Sequence, residues 1–257
     1  MIKLSVVIIT LNEEATIERC IQSVKDIADE IVVVDSLSTD NTVSIAKQLG
    51  AKIVLQPFTD YVTQRTLATE AAANDWIYSI DADEALSPEL SQSILAVKQN
   101  PQYKHYNHNR CTNYCGKWIR HGRWYPDKKT RLFNRTDGKW AGLKVHEYWQ
   151  PVDNSPVGNL KGDLLHYSFN SISDHIRQIE KFSELSARAA VERGKDCSIL
   201  KIWLVPKWKF ITDYIIRAGF LDGYWGYLVC KLSSMEVRIK YAKIRQYASW
   251  KREGNIF

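Results

Sequence analysis

Four apolar runs, separated by stretches of helical spacing, constrain this chain more than any other feature. Residues 4–10 (LSVVIIT) and 30–35 (EIVVVD) are continuous and rich in β-branched side chains; residues 52–55 (KIVL) and 76–80 (WIYSI) are shorter runs of the same kind. A strand that is apolar on both faces has to be covered on both, which is the condition of a parallel sheet. Between the runs the period changes. Ile17, Cys20, Ile21, Val24 and Ala28 recur at three and four and predict a helix. Ser38 and Thr39 offer N-caps for a second helix through Leu49, closed by Gly50. Residues 60–73 predict a third. Ser87, Pro88 and Glu89 supply a cap, a proline at the first helical position and an acid in the first turn of a fourth, which runs to Gln99. Such alternation implies an α/β fold, a sheet with helices on both faces and right-handed crossovers.

Ligands of such sheets bind beyond the carboxyl ends of the strands. The polar residues there are Thr10, Asn12, Asp35, Asp81 and Asp83. Residues 100–168 lose the alternation and are rich in Trp, Tyr, Arg, Asn and Gly. They predict irregular strands and loops of the kind that carry binding on a rigid sheet. Residues 172–193 are helical again, with Ile172, Ile176, Ile179 and Phe182 on one face. Two or three helices follow in 200–250, one with a stripe of Val237, Tyr241, Ile244 and Ala248.

The 257 residues carry a net charge of +6. Residues 200–257 hold eleven Lys or Arg against four acids, a local excess of +7, so the first 199 residues come to −1. A basic excess confined to one segment points to a local anionic partner. Trp203, Trp208, Trp225 and Trp250 are interleaved with these charges, the composition of an interfacial anchor on an anionic membrane leaflet. Nucleic acid is the competing polyanion, but no motif for it is present. Five cysteines at 20, 111, 115, 197 and 230 form no even framework, which suits a reducing compartment. Lys3 is followed by only nine uncharged residues before Glu13, too few for an export signal or a span. The expected location is cytoplasmic, peripheral on the inner face of the cell membrane.

The sharpest chemical signal is WIYSIDADE, residues 76–84, where an apolar strand ends in Asp-x-Asp. Asp81 and Asp83 are placed to chelate one hard cation, Mg²⁺ or Mn²⁺, or to share a nucleotide and its metal, with Asp81 on ribose or metal and Asp83 on the metal. That cation would neutralise a diphosphate leaving group. The plainer reading is a polar loop whose Asp caps the following helix. Asp35 ends a buried strand and has two readings: it accepts from a uracil imide or ribose hydroxyls, or it caps the next helix. Arg65 in DYVTQRTLATEAA is either a bidentate phosphate clamp or part of a solvated face.

SVVIITLNEE, EIVVVDSLSTDNT, QRTLATEAA and WIYSIDADE, in this order and spacing, resemble the nucleotide-binding half of the family 2 glycosyltransferases. That family has a GT-A (Rossmann-like) fold. GRWYPDKKTRLF (122–133), VHEYW (145–149), LLHYSF (164–169) and GFLDGYWG (219–226) are similar to the branch that adds β-1,4-linked glucose to inner-core heptose of bacterial lipopolysaccharide. The resemblance implies an inverting transfer of a hexose, glucose from UDP-glucose, onto a lipid-linked saccharide. It places a base in VHEYW, where Glu147 matches the family's acid and His146 is the alternative. It implies a later His, here His166, as an additional metal ligand, and the Thr10 region and Asp35 as nucleoside contacts. Arg131 in KKTRLF would bind a diphosphate or an acceptor phosphate, or form a structural ion pair. The implied organisation is a nucleotide-sugar half (1–100), an acceptor and catalytic half (101–195), and a basic, amphipathic, membrane-associating helical extension (196–257).

Other readings find less support. Cys111 and Cys115 near His105, His108 and His121 lack the second pair usual in structural zinc sites. Trp118, Trp124, Tyr125, Trp140 and Trp149 are candidates to stack on sugars, although aromatic residues also dominate cores. A nucleotidyltransferase would share the architecture, but TLNEEAT lacks its Gly-rich phosphate loop. A non-catalytic membrane-surface protein on a transferase scaffold is the remaining alternative.

Overall fold

A computed structural model describes residues 1–143, 146–153 and 155–254, with backbone alone for Leu143 and His146. The chain divides into two compact units, residues 1–111 with 127–167, and residues 112–126 with the chain from Ser168 onward.

In the first unit the alternation predicted from sequence is present: β1 (Leu4–Thr10), α1 (Ile17–Val24), β2 (Glu30–Asp35), α2 (Thr42–Gln48), β3 (Lys52–Leu55), α3 (Tyr61–Ala71), β4 (Trp76–Asp81), β5 (Glu84–Leu86) and α4 (Pro88–Gln99). β1 lies between β2 and β4, parallel to both, and β3 adds in parallel outside β2. Strand β1 is buried along its whole length. Its alternate residues enter opposite cores, Leu4, Val6 and Ile8 with α1, α2 and α4, and Val7 and Ile9 with α3. Each such side chain withdrawn from water contributes ~1.5–3 kcal/mol, which is why a continuous apolar run selects the central strand. Helix α4 begins as expected, Ser87 Oγ accepting from the Leu90 amide at 3.2 Å. Helix α2 does not. It starts at Thr42, four residues past Ser38, because Ser38 and Thr39 bond instead to Asp35 and Asn12.

Residues 100–168 are more regular than expected. They form β6 (His105–Tyr114), β7 (Lys117–Ile119), β8 (Asp127–Asn134), β9 (Gly138–Leu143), β10 (His146–Pro151) and β11 (Gly158–Phe169). The order across the main sheet is β3-β2-β1-β4-β8-β6-β11-β5, with β7 pairing β6 and β9–β10 a separate hairpin. The pairings of β8 with β4 and β6, and of β11 with β5, are antiparallel. Antiparallel strands need only one apolar face. Polar runs such as HYNHNRCTNY and DKKTRLFN therefore hide their strand character from a hydropathy reading.

The second unit is mainly helical, with α5 (Ile172–Glu192), α6 (Ile199–Ile211) and α7 (Gly223–Arg252). A short π-helical stretch, Thr212–Ile216, extends α6. The predicted face of α5 is turned. Ile172 and Ile176 are exposed, while His175, Ile179, Ser183 and Ala187 are buried. Small residues let α7 approach, and Ala187, Ala190 and Val191 meet Ile244, Tyr247 and Ala248. The GFLDGYWG stretch is a close junction: a Cβ on Gly226 would fall 2.0 Å from the Gly219 carbonyl oxygen. Asp222 within it accepts from the amides of Arg120 and His121 and meets His121 Nδ1 at 2.9 Å. Among the described residues, no helix is long and apolar enough to cross a membrane.

Candidate active site

Sheet register brings three strand ends level. Thr10 pairs with Asp35 across β1 and β2, and Ile9 with Asp81 across β1 and β4. With adjacent strands ~4.8 Å apart, Thr10, Asp35 and Asp81 share one rim. Both oxygens of buried Asp35 are engaged by Ser38, Oδ1 by its amide at 2.8 Å and Oδ2 by its hydroxyl at 2.5 Å. Asp35 therefore shapes the β2–α2 turn rather than capping α2. Thr10 Oγ1 is buried without a partner among the described residues.

Arg65 sits at the centre of the rim. It is not on a solvated face: α3 buries Gln64, Arg65, Ala68 and Thr69 against the sheet, and Arg65 is 1% exposed. Its guanidinium donates from NH2 to Asp81 Oδ1 at 2.6 Å, from NH1 to Ser79 Oγ at 2.9 Å and from Nε to Glu147 Oε1 at 3.1 Å. Trp140 lies 5.1 Å from it. The hairpin delivers Glu147 by its period of two. Trp149 faces inward, stacked on Phe133 at 3.7 Å, and Glu147 two residues earlier shares that face, while Tyr148 is exposed. The His146 side chain lies outside the described residues.

Arg131, from β8, donates to the other oxygen of Asp81, Oδ2, at 3.3 Å. It is 3% exposed, yet its Nε and NH1 have no partner among the described residues. Burial would raise the Asp81 carboxyl, but Arg65 and Arg131 outweigh it and hold the group well below the usual carboxylate range. Two buried guanidiniums, one of them with spare donors, leave this corner able to accept an anion.

Asp83 has a different partner. Its Oδ2 lies 3.1 Å from His166 Nε2 on β11, and His166 Nδ1 is buried with no partner among the described residues. Burial lowers the proton affinity of His166, but the Asp83 charge and hydrogen bond more than offset this and raise it above its ordinary value. The expected trio of metal ligands is thus not assembled. Asp81 faces two arginines, Asp83 faces a histidine, and no set of three His, Cys, Asp or Glu is disposed around one cation among the described residues. The physical reason is charge: the arginines already neutralise Asp81. Asp83 with His166, one carboxylate and one imidazole, is a donor pair suited to Mn²⁺ or Mg²⁺ with phosphate and water completing the shell.

Several residues here escaped the sequence reading. Glu84, buried, accepts the Asp81 amide at 3.0 Å and Arg110 NH1 at 3.4 Å, and Arg110 also holds Asp127. This bracing fixes the turn that aims the two aspartates. Glu13 is raised mainly by burial, with Asp83, Asp40 and Asp81 adding to the rise, and Tyr61 is raised by burial and by Asp81. Both therefore border the same charge cluster. Glu84 stands within WIYSIDADE and was available to notice; Arg110 carries no sequence signal. The other candidates disperse. Trp140 and Trp149 are core residues, His105 meets Asp137, and His108 meets Tyr78.

Residues 5–150 match the family model described as glycosyl transferase family 2. The chain belongs to glycosyltransferase family 2. It is 34% identical to a glycosyltransferase of Rickettsia typhi, over 96% of this chain and 88% of that one. It is 31% identical to a lipopolysaccharide core biosynthesis glycosyltransferase of Rhizobium meliloti, over 98% and 96% of the two chains. The glucosyl-3-phosphoglycerate synthase of Mycobacterium tuberculosis, solved with Mn²⁺ and UDP-glucose, is 26% identical over 44% of each chain, with a TM-score of 0.37. The protein is a glycosyltransferase, and it has the α/β sheet with helices on both faces that its sequence predicts.

Proposed function

We propose that this glycosyltransferase moves glucose from UDP-glucose, with inversion, onto a lipid-linked saccharide whose accepting sugar is the inner-core heptose of lipopolysaccharide. The observation that carries the reading is the cluster around Asp81: Arg65 and Arg131 on its two oxygens, Glu147 on the far edge of Arg65, and two nitrogens of Arg131 with no partner among the described residues. The near-full-length likeness to a lipopolysaccharide core glycosyltransferase supports the acceptor class.

In this reading Thr10 and Asp35 border the nucleoside, and the free donors of Arg131 take an oxygen of the diphosphate. Arg65 acts through the acids it holds, keeping Asp81 and Glu147 in register. Glu147 Oε1 is occupied by Arg65, which leaves Oε2 to accept the proton of the attacking hydroxyl. The bond from the acceptor oxygen to C1 forms as the bond from C1 to the phosphate oxygen breaks, so an α-linked donor yields a β-glycoside and UDP. Asp83 and His166 would hold a divalent cation, which when bound supplies charge neutralisation at the departing diphosphate. A lipid-linked acceptor sets the protein to work at an anionic membrane surface.

The test is incubation with UDP-glucose, Mn²⁺ or Mg²⁺ and a heptose-terminated lipid-linked acceptor. UDP release that accelerates with acceptor, and a β-linked glucose in the product, are expected. Pyrophosphate release from a nucleoside triphosphate, or no turnover of any nucleotide sugar, would overturn the reading.

A further inference from the structure

Helix α6 is amphipathic the wrong way round for a helix that faces water. Its inner side is closed by Pro206, whose carbonyl accepts from Ser234 Oγ at 2.7 Å, and by Ile202 against the α5–α7 core. Its outer side is a stripe of Leu200, Trp203, Leu204, Trp208, Ile211 and Ile215, on one face at helical spacing and all exposed. Trp208 is 63% exposed, and beyond the stripe Ile216 and Leu221 are 64% and 60%. A contiguous exposed apolar surface of this kind marks an interaction site.

Charge selects the occupant. Residues 199–224 contain two acids, Asp213 and Asp222, and both are buried, at 2% and 8% exposure. Asp213 is further matched by Lys209. The exposed part of the segment therefore carries aliphatic and aromatic groups and cations, and no acid. Lys201, Lys207 and Arg217 are exposed along it and form no ion pair among the described residues. A second copy of the chain docked on this stripe would set cations against cations. A protein partner has no feature calling for it, whereas aromatic and aliphatic groups flanked by Lys and Arg match the headgroup layer of an anionic bilayer. The basic excess nearer the C-terminus has other duties: Lys243 binds Glu184 at 3.0 Å and Arg252 binds Asp196 at 2.6 Å. The α7 stripe of Tyr241, Ile244 and Ala248 packs on α5.

We infer that α6 and the π-helical stretch after it form a monotopic anchor, lying in the headgroup region of an anionic membrane with the Trp203–Trp208–Ile215 stripe inserted. The inference deepens the lipid-linked acceptor reading, but it stands on residues separate from the donor site.

Flotation of the full chain with phosphatidylglycerol–phosphatidylethanolamine vesicles, against phosphatidylcholine vesicles, tests it. UDP release from UDP-glucose is followed on the same preparations. Wild type should float with the anionic vesicles and much less with the neutral ones. Trp203→Ser with Trp208→Ser should weaken binding at least about tenfold. Lys207→Glu with Arg217→Glu should weaken it about thirtyfold or more, since each basic residue near the surface contributes roughly a fivefold factor. All four positions are exposed, so melting and UDP release should match wild type. Absence of wild-type flotation, or variants that float like wild type, would overturn the anchor. So would a dimer of the full chain that these substitutions dissociate. Flotation without UDP release in any preparation would instead count against the proposed UDP-glucose donor and leave the anchor standing.

Discussion

Replacing Arg65 by Met removes the one side chain that joins both acids of the site. Arg65 is 1% exposed and hydrogen-bonds Asp81, Ser79 and Glu147. Deleting one partner of a buried ion pair costs about 3–5 kcal/mol, because the other charge stays buried. Asp81 and Glu147 keep 24% and 15% side-chain exposure, and Asp81 keeps Arg131, so the lower end, about 3 kcal/mol, applies to Arg65→Met. At about 2–4 °C per kcal/mol for a chain of this size, the melting temperature should fall by about 6–12 °C. Transfer should fall at least about a hundredfold, since Glu147 and Asp81 lose their common anchor. Arg65→Lys restores charge but not the fork, and should recover part of the stability and little of the activity. The pH dependence has a definite sign. Asp81 is depressed in the folded state, so its stabilisation is present above the unfolded carboxylate value and is lost as pH falls through the folded one. The gap between wild type and Arg65→Met should hold from neutral pH to about 5 and narrow below about 4. Urea unfolding followed by circular dichroism over this range measures it. A variant that melts within about 2 °C of wild type and still transfers sugar would refute the role given to Arg65.

Asp83→Ala should abolish transfer while leaving the melting temperature nearly unchanged, since Asp83 is part-exposed; wild-type turnover that still requires a divalent cation would remove Asp83 from the cation site. His108 and His175 are both buried and, mainly through burial, pushed down to about 4. Folding therefore loses about 2 kcal/mol per histidine between pH 7 and pH 5, and His175→Phe should remove one share of that slope in chemical unfolding. His175 already packs among the rings of Tyr114, Trp124 and Phe169. The Tyr114 hydroxyl, 3.0 Å from its Nδ1, loses that partner in the variant, which lowers overall stability without restoring the slope. Gly226→Ala sets a Cβ 2.0 Å from a backbone oxygen and should cost about 3 kcal/mol by calorimetry, whereas Gly194→Ala, with open space around it but φ at +74°, should cost about 1 kcal/mol.

What could be read in the chain was local. Strands β1 to β4, helix α1 and the capped start of α4 follow from continuous apolar runs, a period of 3.6 and Ser87–Pro88, all short-range properties. Parallel pairing of those strands then forces Thr10, Asp35 and Asp81 to one edge, so the rim of the site was legible before its geometry. The antiparallel half was not, because strands such as His105–Tyr114 bury polar residues among apolar ones and so lack a continuous apolar run.

The sequence alone determined which residues end the parallel strands, because a strand's burial and direction are set by the residues inside it. Tertiary structure alone decided their partners. Glu147 reaches Arg65 across 82 residues and His166 reaches Asp83 across 83, and nothing in either segment encodes the pairing. It likewise divided the two aspartates of one short motif between arginines and a histidine. It also decided which side of the apolar helix α6 faces outward, because that depends on what α5 and α7 already cover. Ion pairs and exposed faces depend on the relative placement of elements distant in the chain, and local periodicity carries no information about that placement.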